Sequence, residues 1–300
     1  MVATCVGPCD DLAVEPWSEL DTTTWLVVGE ESRGKRTKVW VEDPEGDRWL
    51  RKEPRDSRPF EPAIEAIALR LARAAGLSAP SSHVSRWRDR SGNERRGVLV
   101  QLFVDEDETL SLGSEELASE GDYEAEDHGA HTVERVLQRL RGLGAPGSAC
   151  VEDFLRVVLF DAWIGNGDRH QENWGLIRRA GTAPRFTPIF DPMPSMGVEL
   201  FDDASTARAL KILNNYVLKC PSGFGAGRGG GTLCQPAVLD AARKAPEWAN
   251  CCRLLADFER VLNTIPVFLE TVPSTWLTDT RASFALASLT ARLQWLRGLA

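Results

Sequence analysis

Three short apolar runs near the start of the chain predict strands: TWLVVG at 24–29, KVWVE at 38–42 and RWLRK at 48–52, the last alternating enough to have one buried face. Between the last two, DPEGD at 43–47 sets Pro44 and Gly46 where a turn needs them. The period then lengthens. Ile64, Ile67, Ala68, Leu71, Ala74 and Ala75 follow helical spacing; Pro59 and Pro62 suit the start, Gly76 suits the cap and Pro80 blocks continuation. Strands at 82–87 and 97–103 come next. Three strands, a helix and two strands predict a small lobe over residues 24–103, built on an antiparallel sheet with one main helix.

Beyond residue 131 the pattern is helical. Val133, Val136, Leu137 and Leu140 mark one helix, and Phe154, Leu155, Val158, Ala162 and Trp163 mark a largely buried one that ends at Gly165–Gly167. Short strands at 173–177 and 186–190 flank a turn, and helices are expected at 204–219, 236–244, 247–263 and 279–298. Residues 132–300 thus predict a larger, mostly helical lobe, and the whole an α+β, bilobed architecture. Residues 1–23 read as a loose lead-in. The stretch 104–131 has few large apolar residues and reads as a partly ordered, solvated linker, with docking of a basic partner as the sharper alternative. SGFGAGRGGG, with six glycines in 223–231, reads as a mobile surface loop; it lacks the lysine and following helix of a P-loop.

Charge sharpens this division. The net charge is -9, yet residues 104–131 alone hold eleven Asp and Glu and no Lys or Arg, so the rest of the chain is close to neutral. An acidic total argues against direct nucleic-acid binding. No apolar run approaches a membrane span, and the N-terminus lacks the basic and apolar regions of a signal peptide. Seven cysteines without framework spacing read as reduced thiols of a cytoplasmic protein. Cys5 and Cys9 with Cys220 and Cys234 make a weak metal-site candidate, lacking a histidine at finger spacing.

The densest chemistry lies in FDAWIGNGDRHQENWGLI at 160–177, which puts Asp168, His170 and Asn173 in one turn, and in PIFDPMPSMG, which adds Asp191. Phosphoryl transfer asks for positioned phosphates, one or two magnesium ions and a group oriented on the attacking hydroxyl. Magnesium keeps several waters, so Asn173 and Asp191 suffice as side-chain ligands. Asp168 is then free to accept a hydroxyl proton. Lys52, at the end of its strand, can reach ATP phosphates, with Glu65 (or Glu61, one turn earlier) to orient it. The segment from Gly29 to Lys38, including Ser32, Gly34 and Lys35, would lie over the phosphates. Taken singly, a strand-end lysine or a charged hairpin is ordinary surface, and His170 is as readily a structural histidine as a catalytic one. Arg169 is expected to pair with a carboxylate and fix the turn.

GNGDRHQENWGLI followed by PIFDPMPSMG resembles the HipA-like kinases, whose catalytic segment has an Asp, a His two residues on and an Asn five residues on, with a metal-binding Asp after a short hairpin. Those positions are Asp168, His170, Asn173 and Asp191. EAIALRLARAAGLSAP resembles the family's Glu-bearing helix, with Glu65 at the acidic position. VLVQLF resembles the strand leading to the nucleotide hinge, with Gln101 and Phe103 beside the base. The Asp-Arg-His order is also similar to phosphatidylinositol kinases, but their Asp-Phe-Gly is Asp-Pro-Met here. The resemblance implies ATP- and Mg2+-dependent phosphorylation of Ser or Thr in a protein substrate, and self-phosphorylation at Ser32. It also raises an antitoxin-like partner, against which stands the short lead-in where HipA toxins carry an N-terminal domain. A lipid or small-molecule kinase, and a silent nucleotide-binding scaffold, are the alternatives.

Overall fold

The turn at 43–47 closes a hairpin whose register pairs Glu42 with Arg48, Trp40 with Leu50, and Lys38 with Lys52. Side chains directly opposite share a face, so the two lysines stand side by side. The computed structural model describes residues 14–31, 36–119, 121, 123–200 and 202–299. Its small lobe runs β1 (Glu19–Asp21), β2 (Leu26–Glu30), β3 (Lys38–Glu42), β4 (Arg48–Lys52), α1 (Glu61–Ala74), β5 (Ser82–Arg88) and β6 (Glu94–Gln101). The strands form one sheet in the order β1-β5-β6-β4-β3-β2. Only β1 with β5 is parallel; the other neighbours are antiparallel.

Helix α1 is buried on nearly all sides. One side covers the sheet, where Ile64, Ala68, Val84 and Val98 share a core. That core continues without a break into the large lobe through Phe154, Phe258 and Leu289. The far face of the sheet holds a separate small cluster of Val41, Trp49 and Leu99. The lead-in is not loose where it is described: Val14 is buried, Trp17 packs on Trp276 with ring centroids 6.2 Å apart, and β1 extends the sheet.

The large lobe contains β7 (Glu108–Leu112), α2 (Gly113–Ala118), α3 (Val133–Arg141), α4 (Gly147–Ile164), β8 (Gly175–Arg179), β9 (Arg185–Phe186), α5 (Asp203–Lys211), α6 (Leu213–Leu218), β10 (Pro221–Gly225), β11 (Thr232–Cys234), α7 (Gln235–Ala242), α8 (Trp248–Cys251), α9 (Leu254–Leu262), α10 (Ile265–Glu270) and α11 (Asp279–Arg297). Four expectations from sequence need correction. The acidic stretch 104–131 is not a linker: β7 pairs with β8, α2 buries Leu117 completely, and a 3-10 turn at His128–Ala130 packs into the lobe. Four of its acids form ion pairs within the fold. Glu116 is buried between Arg178 and Arg139, and Asp105, Asp107 and Glu108 meet Arg179 and Arg185. The glycine-rich stretch is not simply a mobile loop either, because its first half is β10, paired with β11. Finally, the predicted strand 186–190 is only Arg185–Phe186, since Pro188 has no N–H to offer a ladder. The predicted helices 204–219 and 247–263 each break in two. Among the described residues no helix is long and apolar enough to cross a membrane.

If the acidic stretch is part of the core, Leu117→Ala should cost about 3 kcal/mol, as for other buried leucines. Urea unfolding with an unchanged m-value measures this. A solvated linker would show almost no change.

Candidate active site

Helix α4 delivers the turn that carries Asp168, His170 and Asn173. It ends at Gly165, whose backbone is left-handed (φ +69°) and whose missing Cβ leaves room for the Arg292 guanidinium. The Asn166 side chain then bridges: its amide nitrogen donates to Asp161 (2.9 Å) and its oxygen accepts from the Asp168 N–H (3.1 Å). The next residue, Arg169, is 1% exposed. Its guanidinium donates to both oxygens of Asp161 (2.7 and 2.9 Å). It also donates to the carbonyls of Asn173 and Phe190. One buried cation thus ties α4, the Asp168–Asn173 turn and the residue before Asp191 together. The carboxylate expected for Arg169 is Asp161, a residue that sequence reasoning left unnoticed in the buried helix.

The hairpin β10–β11 backs this turn. Ser222 O accepts from the Arg169 N–H (3.1 Å). Gly223 has φ +80°, and a Cβ there would lie 2.4 Å from Arg169 N, so no side chain fits. His131 is fully buried beneath it, with Nδ1 3.3 Å from Gly223 O and Nε2 accepting from the Trp174 indole (3.0 Å). Burial drives the His131 pKa down to about 3, so the ring stays neutral.

Across the cleft, Lys52 is 3% exposed and Glu65 fully buried. Lys52 Nζ lies 2.6 Å from Glu65 Oε1 and 3.4 Å from Asp191 Oδ1. Two further cations join them. Arg36 Nη2 sits 2.9 Å from Glu65 Oε2 and 3.0 Å from Asp191 Oδ1. Lys38 Nζ is 3.7 Å from Asp191 Oδ2. Burial pushes the Asp191 carboxyl up, but the charges of Lys52, Arg36 and Lys38 together outweigh it and hold it well below the usual carboxylate range. The Asp191 backbone is itself left-handed (φ +46°), a sparsely used region for a residue with a side chain.

These groups head a cavity of about 310 Å³ between the lobes. Its polar lining includes Lys38, Lys52, Asn173 and Asp191; its apolar walls include Trp40 and Phe103. Phe103 stacks on Phe190 at 5.4 Å between centroids. His170 also lines the space, its Nδ1 accepting from the Glu172 N–H (3.1 Å) and its Nε2 3.9 Å from Asp168 Oδ2. The Asp168 side chain is half exposed beside the cavity. Asn173 donates its amide nitrogen to the Asp168 carbonyl (2.7 Å), which leaves its oxygen as the atom a metal would take.

Lys52, Glu65, Asn173 and Asp191 therefore converge, with His170 and Phe103 beside them. Two of the residues chosen from sequence are placed elsewhere. Gln101 faces Trp49 in the sheet rather than the cavity, and its N–H donates to Ser81 O. Gly29 pairs with Trp40 on β2, and it is Trp40 that reaches the cavity. Ser32, Gly34 and Lys35 lie outside the described residues, as do Cys5 and Cys9. Among the described residues no cluster of His, Cys, Asp or Glu forms an all-protein metal cage. Lys38 and Arg36 were noted in sequence only as loop charges. The hairpin register could have placed Lys38, since counting outward from the 43–47 turn sets it opposite Lys52.

A sheet-built lobe with a Lys–Glu ion pair, closed over a helical lobe carrying Asp168, Asn173 and Asp191, defines a protein-kinase-like fold. Within that class the family is fixed by comparison: the model of the HipA-like C-terminal domain matches residues 31–222, so the chain belongs to that family. The structure superposes on the Helicobacter pylori proinflammatory kinase CtkA with a TM-score of 0.74, over 92% of this chain and 95% of that one, at 15% identity. It superposes on Shewanella oneidensis HipA, solved with HipB and operator DNA, with a TM-score of 0.55 at 14% identity, over 91% of this chain and 66% of that one. Likeness at such identities establishes the fold alone. A curated relative, "Putative kinase Y4dM" of Sinorhizobium fredii, is 37% identical over 57 residues, a match that spans only 14% of that relative's length.

Replacing Arg169 by Met should cost about 3–5 kcal/mol, because Asp161 is left as an unpaired buried charge. Adding Asp161→Leu should restore most of that loss. Chemical denaturation of the two single variants and the double variant measures the coupling; additive losses would mean that the pair does not act as one.

Proposed function

We propose that this protein is an ATP- and Mg2+-dependent kinase that phosphorylates Ser or Thr of a protein substrate, its own hydroxyls included. The observation that carries this reading is the convergence of Lys52, Glu65 and Asp191 at the interlobe cavity. The family and the kinase neighbours support the general class of phosphotransferase.

Each residue then has a role set by its surroundings. Glu65 is buried and acceptor-only, and it fixes the Lys52 ammonium as a positioned cation for the alpha and beta phosphates. Asp191 and the Asn173 oxygen would hold magnesium, which when bound supplies charge neutralisation on the phosphate oxygens. Asp168 is half exposed, so its carboxylate is open to a hydroxyl arriving from solvent, whose proton it accepts as phosphate transfers. His170 accepts a backbone N–H at Nδ1, so its neutral tautomer carries the proton on Nε2, the nitrogen that faces Asp168. We assign it the role of steadying that carboxylate. Trp40 and Phe103 provide apolar walls suited to a purine.

Asp168→Asn keeps the shape of the turn and removes the proton acceptor. It should lower the rate of transfer from labelled ATP by about 10²- to 10⁴-fold, with nucleotide affinity within a few-fold of the parent. Label on protein Ser or Thr in the parent and its loss in the variant would support the reading. Nucleotide binding with label only on small molecules, or on nothing, would overturn the protein acceptor.

A further inference from the structure

The carboxylate assigned to magnesium is already saturated with cations. Asp191 faces Arg36 at 3.0 Å, Lys52 at 3.4 Å and Lys38 at 3.7 Å. Lys52 has a second carboxylate, Glu65, at 2.6 Å. Arg36 differs. A single nitrogen, Nη2, serves both Glu65 and Asp191. Its other terminal nitrogen, Nη1, is buried and has no hydrogen-bond partner among the described residues. An unsatisfied buried guanidinium nitrogen is costly, and an anion with several acceptor oxygens is the natural remedy. The side chain is only 5% exposed, so the anion would have to reach it from the cavity that its neighbours Lys38, Lys52 and Asp191 line.

Resting on the kinase reading above, we propose that Arg36 is a phosphate-binding residue that occupies the metal carboxylate while nucleotide is absent. Polyphosphate entering the cavity takes the guanidinium, and Asp191 is released for the divalent ion. Metal alone meets three cations at that carboxylate and binds poorly; metal with nucleotide brings the anion that removes one of them. Nucleotide and metal therefore bind cooperatively, and the coupling runs through Arg36. By linkage, each ligand strengthens the other by the same factor. The exchange forms and breaks only ion pairs and hydrogen bonds, so it needs no co-reactant.

The test compares the full chain with Arg36→Gln, which keeps an amide near Glu65 but removes the charge. Binding of Mn2+ alone is read from the resonance signal of free Mn2+. Binding of a non-hydrolysable ATP analogue is read calorimetrically, with Mn2+ and with chelator. The expected result is that R36Q binds Mn2+ alone about tenfold tighter or more, and binds the metal-free analogue about tenfold weaker, the scale of one charge-assisted hydrogen bond. Unchanged Mn2+ affinity in a folded R36Q would overturn the proposal. If R36Q does not fold, Arg36→Lys serves: it keeps the charge but cannot offer a second nitrogen, so metal-free analogue binding should weaken while Mn2+ alone still binds poorly. An Arg36→Lys protein that binds the metal-free analogue as the parent does would overturn the proposal. Failure of the parent to bind nucleotide at all would overturn the kinase reading; normal, metal-dependent nucleotide binding that R36Q leaves untouched would overturn only the role of Arg36.

Discussion

The Arg169–Asp161 pair is the constraint on which the large-lobe half of the site depends. A guanidinium at 1% exposure is tolerable only when nearly all its donors are used. Here they reach a carboxylate in α4 and the carbonyls of Asn173 and Phe190. Because a guanidinium is planar and rigid, those three partners are fixed relative to one another. Asp168 precedes the arginine, Asn173 offers one accepting carbonyl and Asp191 follows the other, that of Phe190. Positioning by one shared cation is how a site gains sub-ångström order without a long run of regular structure.

The small-lobe half follows a different logic. Hairpin register sets Lys38 against Lys52, an arrangement of like charges that destabilises a sheet unless something answers it. Glu65, buried on α1, and Asp191, reaching across from the large lobe, are the answer. With Arg36 added, three cations face two carboxylates, which leaves one positive charge in excess. A pocket with that surplus, roofed by Trp40 and Phe103, favours a polyanion with an aromatic end. The two halves meet at Asp191, whose left-handed backbone is held by the segment that Arg169 anchors.

Much of this was legible in the chain. Strand and helix periods marked β2 to β6 and α1, because each has one face pattern set by local neighbours. The Asp168–Asn173 spacing and the later Asp191 could be read because a short turn keeps them close whatever surrounds it. What escaped was non-local. The acids of 105–116 looked solvated because their partners, Arg139, Arg178, Arg179 and Arg185, lie far along the chain. Gly223 looked flexible because its reason, the close approach of Arg169, comes from another segment. Gln101 and Phe103 were both expected beside the base, and only Phe103 lines the cavity; β6 ends at Gln101, so the strand's alternation of faces does not carry on to Phe103.

The central claim is that Asp191 and Asn173 hold a divalent ion against phosphates gripped by Lys52. The most direct measurement is a crystal structure of the protein with Mn2+ and a non-hydrolysable ATP analogue, read by anomalous scattering from the manganese. The account predicts an anomalous peak within coordination distance of Asp191 and the Asn173 amide oxygen, phosphate density at Lys52, and the base between Trp40 and Phe103. A nucleotide bound elsewhere, or manganese absent from Asp191 while nucleotide fills the cavity, would contradict it.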